Sequence, residues 1–257
     1  MYGLANGLPM LHLLSDKYDI ILLQELWLCS FDFHKLSDVF PNFNVSAISS
    51  MNDKLESGLF TGRPFGGVAI MWKKSLSVRT EKIECDDGGR YLALLFKCDP
   101  TPCVIHCVYF PCFSTNIDYA VVISNLISKI ELNLSNYSNA FHVIGGDYNF
   151  ECRPRVKGYE LFKCTLDKFN IFNCDNLITN NLSHTYNHEG LGHRSWIDHF
   201  FMSDNLKNCV SEVQIIDSGV NCSDNIPIGC SIKLDNHSSH KDVHSNINKK
   251  CVKDRWD

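Results

Sequence analysis

Four short polar clusters break into or close apolar runs of this chain. Gln24-Glu25 sits inside DIILLQELWL at residues 19–28. Gly146-Asp147-Tyr148-Asn149 follows FHVIG, Ser195-Trp196-Ile197-Asp198-His199 runs into FFM, and Ser223-Asp224-Asn225 precedes Ile-Pro-Ile. A carboxylate in apolar surroundings is costly unless it is paired, hydrogen-bonded or holding a cation. Strand ends are also where α/β proteins gather reactive groups. Each cluster has a plainer explanation when taken alone: Glu25 as a strand-end charge, GDYN as a turn. Four of them in one chain favour a shared site, with Glu25 the sharpest case.

The surrounding pattern supplies the elements that must carry these groups. Leu8, Leu11 and Leu14 form a short helical stripe over residues 8–17. Residues 19–28 read as a strand buried on both faces. Further strands are expected at 67–72, 76–85, 91–97, 104–110, 141–144, 184–186, 197–202, 210–216 and 226–234. Helices are expected at 117–132, from the spacing of Ala120, Ile123, Ile127 and Ile130, and at 159–169. Many strands with few helices argue for packed sheets flanked by helices, an α/β (α+β) fold. Past Leu234 the sequence turns polar. Residues 1–234 are therefore expected to form one domain and 235–257 a solvated tail or linker.

Composition limits the functions. The chain has 257 residues, 44% of them hydrophobic, enough for a sizeable core. Its formal charge of −5 excludes nucleic-acid binding by bulk charge alone, so any such contact needs a local basic patch or a bound metal. The 13 cysteines are odd in number and form no Cys-x-x-Cys, which predicts reduced thiols in an intracellular protein. Cys103, Cys107 and Cys230 lie in apolar runs, as small hydrophobes do. The longest apolar run is too short to span a membrane. His184, His188 and His193 have a spacing that suits zinc but no evident fourth ligand, and read as loop histidines. Arg153, Arg155 and Lys157 read as a solvated loop, with contact to flanking phosphates as the alternative. Trp27 and Trp72 read as core. Gly66-Gly67 and Gly145-Gly146 lack the Lys-Ser/Thr of a P-loop and read as close packing at strand ends.

Seven segments in order resemble the endonuclease/exonuclease/phosphatase superfamily of metal-dependent phosphodiesterases. They are QE at 24–25, FGGVAIMW at 65–72, DGGRY at 87–91, VYFP at 108–111, GGDYN at 145–149, SWIDH at 195–199 and SDN at 223–225. FGGVAIMWKKSL and SWIDHFFMSDNL are most similar to the endonuclease domain of non-LTR retrotransposons, and KDRWD at the end resembles the start of the linker before a reverse transcriptase. The resemblance implies a four-layer sandwich of two packed mixed β-sheets flanked by helices. It also implies roles. Glu25 would bind the divalent metal, with Asp224 near it, directly or through water. Asp147 would deprotonate the attacking water, Asn149 would hydrogen-bond the phosphate, and Tyr109 would donate to a phosphate oxygen. Asp198 would orient the group at 225, and Arg90 would support the site. Hydrolysis of an anionic phosphodiester needs a cation and an in-line activated water, and hard carboxylate ligands suit Mg²⁺ or Mn²⁺ better than zinc.

Two departures stand out. The family writes Ser-Asp-His where this chain has Ser223-Asp224-Asn225. Asn225 can donate a hydrogen bond but cannot carry positive charge or shuttle a proton. His199 follows Asp198 directly, so alternation along a strand should turn it to the opposite face and deny it the missing role. The family's first strand, ending in an Asn, would precede Met1, so that strand is expected to be absent here. The implied function is a divalent-metal-dependent DNA endonuclease of retroelement type, nuclear if it acts on DNA, with no membrane contact. A downstream reverse transcriptase is the expected partner in the parent element, and the chain is expected to be a monomer. The alternatives are a catalytically dead retroelement remnant that keeps the fold, and a phosphatase of the same superfamily.

Overall fold

The computed structural model describes residues 3–58, 62–113, 118–178 and 182–233. The expected tail at 235–257 lies outside them. Helix α1 (Leu4–Lys17) leads into β1 (Ile20–Gln24), then α2 (His34–Val39), β2 (Phe43–Ile48), α3 (Asn52–Glu56) and β3 (Val68–Lys73). Strands β4 (Thr80–Cys85), β5 (Tyr91–Phe96) and β6 (Cys103–Tyr109) follow, then α4 (Asp118–Asn136), β7 (Phe141–Asp147) and α5 (Lys157–Lys168). The remaining strands are β8 (Ile171–Asn173), β9 (Tyr186–His188), β10 (His193–Ser195), β11 (Asp198–Ser203), β12 (Val210–Ile215) and β13 (Ile228–Ile232).

These elements form helix, sheet, sheet and helix layers. The larger sheet has the order β4-β5-β6-β7-β11-β8 and is mixed, because β6 and β7 run parallel while its other neighbours are antiparallel. The smaller sheet, β1-β3-β2, is antiparallel throughout. Ile123, Ile127 and Ile130 of α4 and Phe162 of α5 bury the outer face of the larger sheet against Ala93, Val104 and Ile144. Leu4 and Leu11 of α1, with Leu36 and Phe40, cover Ile21, Leu23, Ala69 and Met71 on the outer face of the smaller one. Ile70, Leu94, Ile105 and Val143 fill the space between the sheets. No described helix is long and apolar enough to cross a membrane.

The ten-residue strand expected at 19–28 is shorter. It ends at Gln24, because Glu25 and Trp27 both have positive φ, 57° and 53°. Their turn is held by Leu26 N–H and Trp27 N–H donating to the carbonyls of Gly67 and Gly66 (3.3 and 3.0 Å). Gly67 has φ 86°, and a Cβ there would lie 3.1 Å from the Ile48 carbonyl. The close packing expected of these glycines is therefore what holds the Glu25 turn. Helix α1 starts before the Leu8 stripe, with Pro9 inside it. β2 and β8 escape sequence reading: FNVSAI alternates weakly, and β8 has only three residues.

β1 and β13 each end their sheet among the described residues, and a cavity of about 560 Å³ lies between them. Ile20, Leu22, Ile228 and Cys230 face the interior between the sheets, yet all stay half-buried. Leu22 and Leu23 sit side by side on β1 but face different layers, which allows a direct comparison. Leu23→Ala, in the filled helix-facing core, should cost about 3 kcal/mol, while Leu22→Ala, against the cavity, should cost about 1 kcal/mol. Urea unfolding midpoints of the two variants check this.

Candidate active site

Three neighbouring strands bring their functional side chains to one end of the larger sheet. β6 and β7 run parallel with Tyr109 opposite Asp147, and β11 starts with Asp198 opposite Asp147. Glu25 arrives from the other sheet at the end of β1, and the Tyr109 hydroxyl donates to its Oε1 at 2.6 Å. Asn225 comes from the loop before β13, bridged to Tyr186. Glu25, Tyr109, Asp147, Asn149 and Asn225 together line one pocket of about 380 Å³.

Local backbone geometry fixes these groups. After β7 the chain turns through Asn149 at φ 52°, a left-handed position that Asn tolerates. Asn149 N–H donates to Asp147 Oδ1 (2.9 Å), and its Nδ2 donates to the Phe110 carbonyl (2.8 Å), tying the turn to the end of β6. At Gly146 a Cβ would collide with the Val108 carbonyl oxygen, so only glycine lets β7 run this close to β6. Arg90 stacks its guanidinium 4.9 Å from the centre of the Tyr109 ring and donates to the Tyr109 carbonyl (3.3 Å). It supports the tyrosine. Thr185 Oγ1 accepts from the N–H groups of Ile197 and Asp198, each at 3.0 Å, and anchors the start of β11.

Charge is concentrated here. Asp147 is buried and its pKa is pushed well above the usual carboxylate range, by burial first and then by the Asp198 charge, with Glu25 adding to it. Burial raises Asp198 as well, restrained by its hydrogen bonds from Thr185 and Asn225. Burial and the neighbouring Glu25 carboxylate push the Tyr109 hydroxyl up, so it remains a protonated donor. Asn225 Nδ2 donates to both oxygens of Asp198 (3.2 Å each) and to Asp147 Oδ2 (3.4 Å). Two carboxylates, Glu25 and Asp147, thus line a pocket that includes no Lys or Arg among the described residues, and Asp198 sits opposite Asp147 on the next strand. An all-oxygen, negatively charged donor set of this kind fits a hard divalent cation.

Asp224 is placed differently from its companions. It is not among the residues lining the pocket, and its carbonyl accepts from Asn187 N–H (2.9 Å). His199 turns away from Asp198, as the alternation of a strand requires. Its Nδ1 lies 2.8 Å from Asp175 Oδ2 and its Nε2 2.9 Å from the Phe150 carbonyl. The Arg153-Arg155-Lys157 trio is exposed, with Arg153 paired to Glu151 at 2.7 Å, which fits a solvated loop. Trp72 is core, but Trp27 is partly exposed, with Arg63 stacked 4.5 Å from its ring centre. His188 and His193 face each other across β9 and β10, and among the described residues the three loop histidines form no ligand group. Sequence reading missed Tyr186, His193 and Ser195 as pocket wall and Thr185 as an anchor. Only the proximity of HTYNH to SWIDH hinted at them.

The family model for the endonuclease/exonuclease/phosphatase family matches residues 7–224. The chain belongs to this family. No curated protein matches its sequence. Among solved structures, the fold is similar to the AP endonuclease LMAP from Leishmania major, with a TM-score of 0.71 and 14% identity over 91% of this chain and 85% of that one. It is also similar to the 3' phosphatase NExo from Neisseria bound to a product DNA hairpin (TM-score 0.65, 15% identity, 90% and 96% covered). A third is the endonuclease domain of TRAS1, a telomere-specific non-LTR retrotransposon (TM-score 0.61, 13% identity, 90% and 93% covered). At these identities the likeness is one of fold. Nucleases of the endonuclease/exonuclease/phosphatase family are generally divalent-metal dependent, in keeping with the carboxylate-rich pocket.

Behind the pocket, the family turn at 147–150 leans on His199. Burial opposes the charge of this ring, but the Asp175 carboxylate and the Cys152 side chain outweigh it and lift its pKa from 6.5 to about 10. A raised histidine contributes stability that is complete below its unfolded pKa and is lost as pH rises through about 10. In metal-free protein, Asp175→Asn should therefore cost about 3 kcal/mol at pH 6, and the gap from wild type should narrow by pH 10.5. Paired urea titrations at the two pH values read this directly.

Proposed function

We propose that this chain is a divalent-metal-dependent phosphodiester hydrolase, a DNA endonuclease of retroelement type. The observation that carries the reading is the convergence of Glu25, Tyr109, Asp147, Asn149 and Asn225, from separate strands and loops, on one pocket, with Asp198 opposite Asp147 on the neighbouring strand. The retroelement assignment draws on the FGGVAIMW and SWIDH segments, with the fold of the TRAS1 domain as a weaker support.

In this reading Glu25 would hold a Mg²⁺ or Mn²⁺ ion, with Asp224 near it, directly or through water. The ion supplies charge neutralisation at the phosphate oxygens. Asp147, whose proton affinity burial and the Asp198 charge raise above that of an ordinary carboxylate, takes the proton of the attacking water. Asn149 keeps Asp147 aimed through its backbone N–H. Tyr109, held between Arg90 and Glu25, stays protonated and donates to a phosphate oxygen once substrate enters. Asp198 orients Asn225, which donates to the phosphate where the family's histidine would also bring charge.

The test is nicking of supercoiled plasmid with Mg²⁺ and with Mn²⁺, against an EDTA control. Wild type should nick slowly and only with metal. Glu25→Ala and Asp147→Asn should each lower the rate by about 10³-fold, and Asn225→His should raise it by about 10²-fold. Absence of cleavage in both wild type and Asn225→His would overturn the endonuclease reading in favour of a fold kept without turnover. Release of phosphate from a 3'-phosphorylated oligonucleotide, with intact plasmid, would favour the phosphatase alternative.

A further inference from the structure

On the far side of the 147–150 turn lies a second group of potential ligands that the hydrolytic pocket does not use. Cys152, Asp175 and His199 come from the loop after β7, the turn after β8 and strand β11. One donor atom from each, Sγ, a carboxylate oxygen and a ring nitrogen, lies within 4.8 Å of the other two. Their positions in the chain are far apart, so no local motif announces them.

Several details set this group apart from a simple ion pair. His199 Nε2 bonds the Phe150 carbonyl at 2.9 Å, and a carbonyl can only accept, so Nε2 carries the proton and Nδ1 is the atom turned to Asp175 and Cys152. A histidine that donates one ring N–H to a backbone carbonyl while its other nitrogen faces the ligand cluster has the arrangement usual for metal-bound imidazole. Asp175 is itself oriented: Asn173 Nδ2 donates to its Oδ2 at 2.9 Å, and Asp175 N–H donates to Asn173 Oδ1 at 2.9 Å. The Cys152 thiol, which also interacts with His199, sits at the third corner. His199 is buried, while Cys152 and Asp175 remain partly exposed, leaving an entry path for an ion.

We propose that Cys152, Asp175 and His199 form a structural site for a borderline divalent transition ion, Zn²⁺ foremost, separate from the hard-cation site at Glu25. Thiolate, imidazole and carboxylate together match zinc by ligand softness, and Mg²⁺ has no use for sulfur. Tetrahedral bonds of 2.0–2.3 Å set ligand atoms about 3.3–3.8 Å apart, so the present triangle needs side-chain shifts of about 1 Å. Water completes the fourth position on the exposed side. Binding exchanges protons for the ion: the Cys152 thiol and the His199 Nδ1 each release one, so that sulfur and nitrogen lone pairs face the ion. The bound ion pins His199, and through the Phe150 carbonyl it stiffens the turn that presents Asp147 and Asn149.

Cobalt(II) is the probe, because sulfur and nitrogen ligation in a tetrahedral site gives thiolate-to-cobalt charge-transfer and visible ligand-field bands. Chelator-treated full-length protein with excess Mg²⁺ present should take up one equivalent of Co²⁺ with both sets of bands, and Zn²⁺ should displace it. Cys152→Ser should abolish the charge-transfer band, and Asp175→Ala should weaken binding more than tenfold. Cys164→Ser, an exposed cysteine outside the group, should leave both unchanged. Zn²⁺ should raise the melting temperature of wild type and not of Cys152→Ser. Absence of the bands in wild type, or bands that persist in Cys152→Ser, overturns the proposal. No readout involves DNA cleavage, so the result stands apart from the fate of the endonuclease reading.

Discussion

The structure depends on holding like charges together. Asp147 and Asp198 face each other across the β7–β11 ladder, where directly opposed residues lie about 4.5–5.5 Å apart at their Cα atoms. Like charges in that relation repel, and burial removes the water that would screen them. The neighbourhood answers with neutral donors only: the Asn149 N–H on Asp147, the Asn225 amide on both carboxylates, the Thr185 hydroxyl at Asp198. These soften the repulsion and do not cancel it. A cavity with this charge suits a cation, and the fold bears the cost of keeping the carboxylates together.

Bearing that cost requires unusual backbone. Glu25 and Asn149 both adopt left-handed conformations at non-glycine positions, each immediately beside the carboxylate chemistry. Neither turn stands alone. The Glu25 turn is clamped by carbonyls of Gly66 and Gly67 at the head of β3, and the Asn149 turn by Phe110 at the end of β6. Both clamps come from strands in the centre of their sheets, where the core is densest. Helices α4 and α5, which touch no functional group, thus matter to the site by keeping β6 and β7 in fixed register. His199 extends the same logic. It grips the Phe150 carbonyl from behind, so the turn is held from the β6 side and from the β11 side at once.

What the sequence disclosed follows from how local each signal is. The central strands β3, β5, β6 and β7 announce themselves as apolar runs because both faces are buried. The helices α4 and α5 show their stripe because only one face is. The edge strands β2 and β8 gave no such contrast, being half-covered or too short. The site was legible as four clusters because each polar residue interrupts an apolar run. That test recognises Glu25, Asp147 and Asp198. It cannot recognise Thr185, which works through backbone N–H groups, or Tyr186 and His193, which lie in a loop that is polar throughout. The end of β1 was misread for a related reason. DIILLQELWL stays apolar after the backbone has left the strand, because Leu26 and Leu28 stay buried in the turn. Hydropathy reports burial, and burial persists where extension does not.

Asn225 shows how one substitution alters such a balance. An amide nitrogen has two hydrogens. Here they are directed to Asp198 and Asp147, at 3.2 and 3.4 Å. A protonated imidazole in the same place would bring a full charge to the carboxylates and relieve the repulsion that raises Asp147. The amide brings none, so the proton affinity of Asp147 stays high. Its hydrogen bonds are also occupied within the protein, so in the proposed hydrolytic reading a phosphate would compete with two carboxylates for them. Neutralising the pocket weakens that competition, since a carboxylate facing a cation is a poorer acceptor for the amide. In the proposed reading, then, the ability of residue 225 to reach substrate would follow from cation binding rather than accompany it.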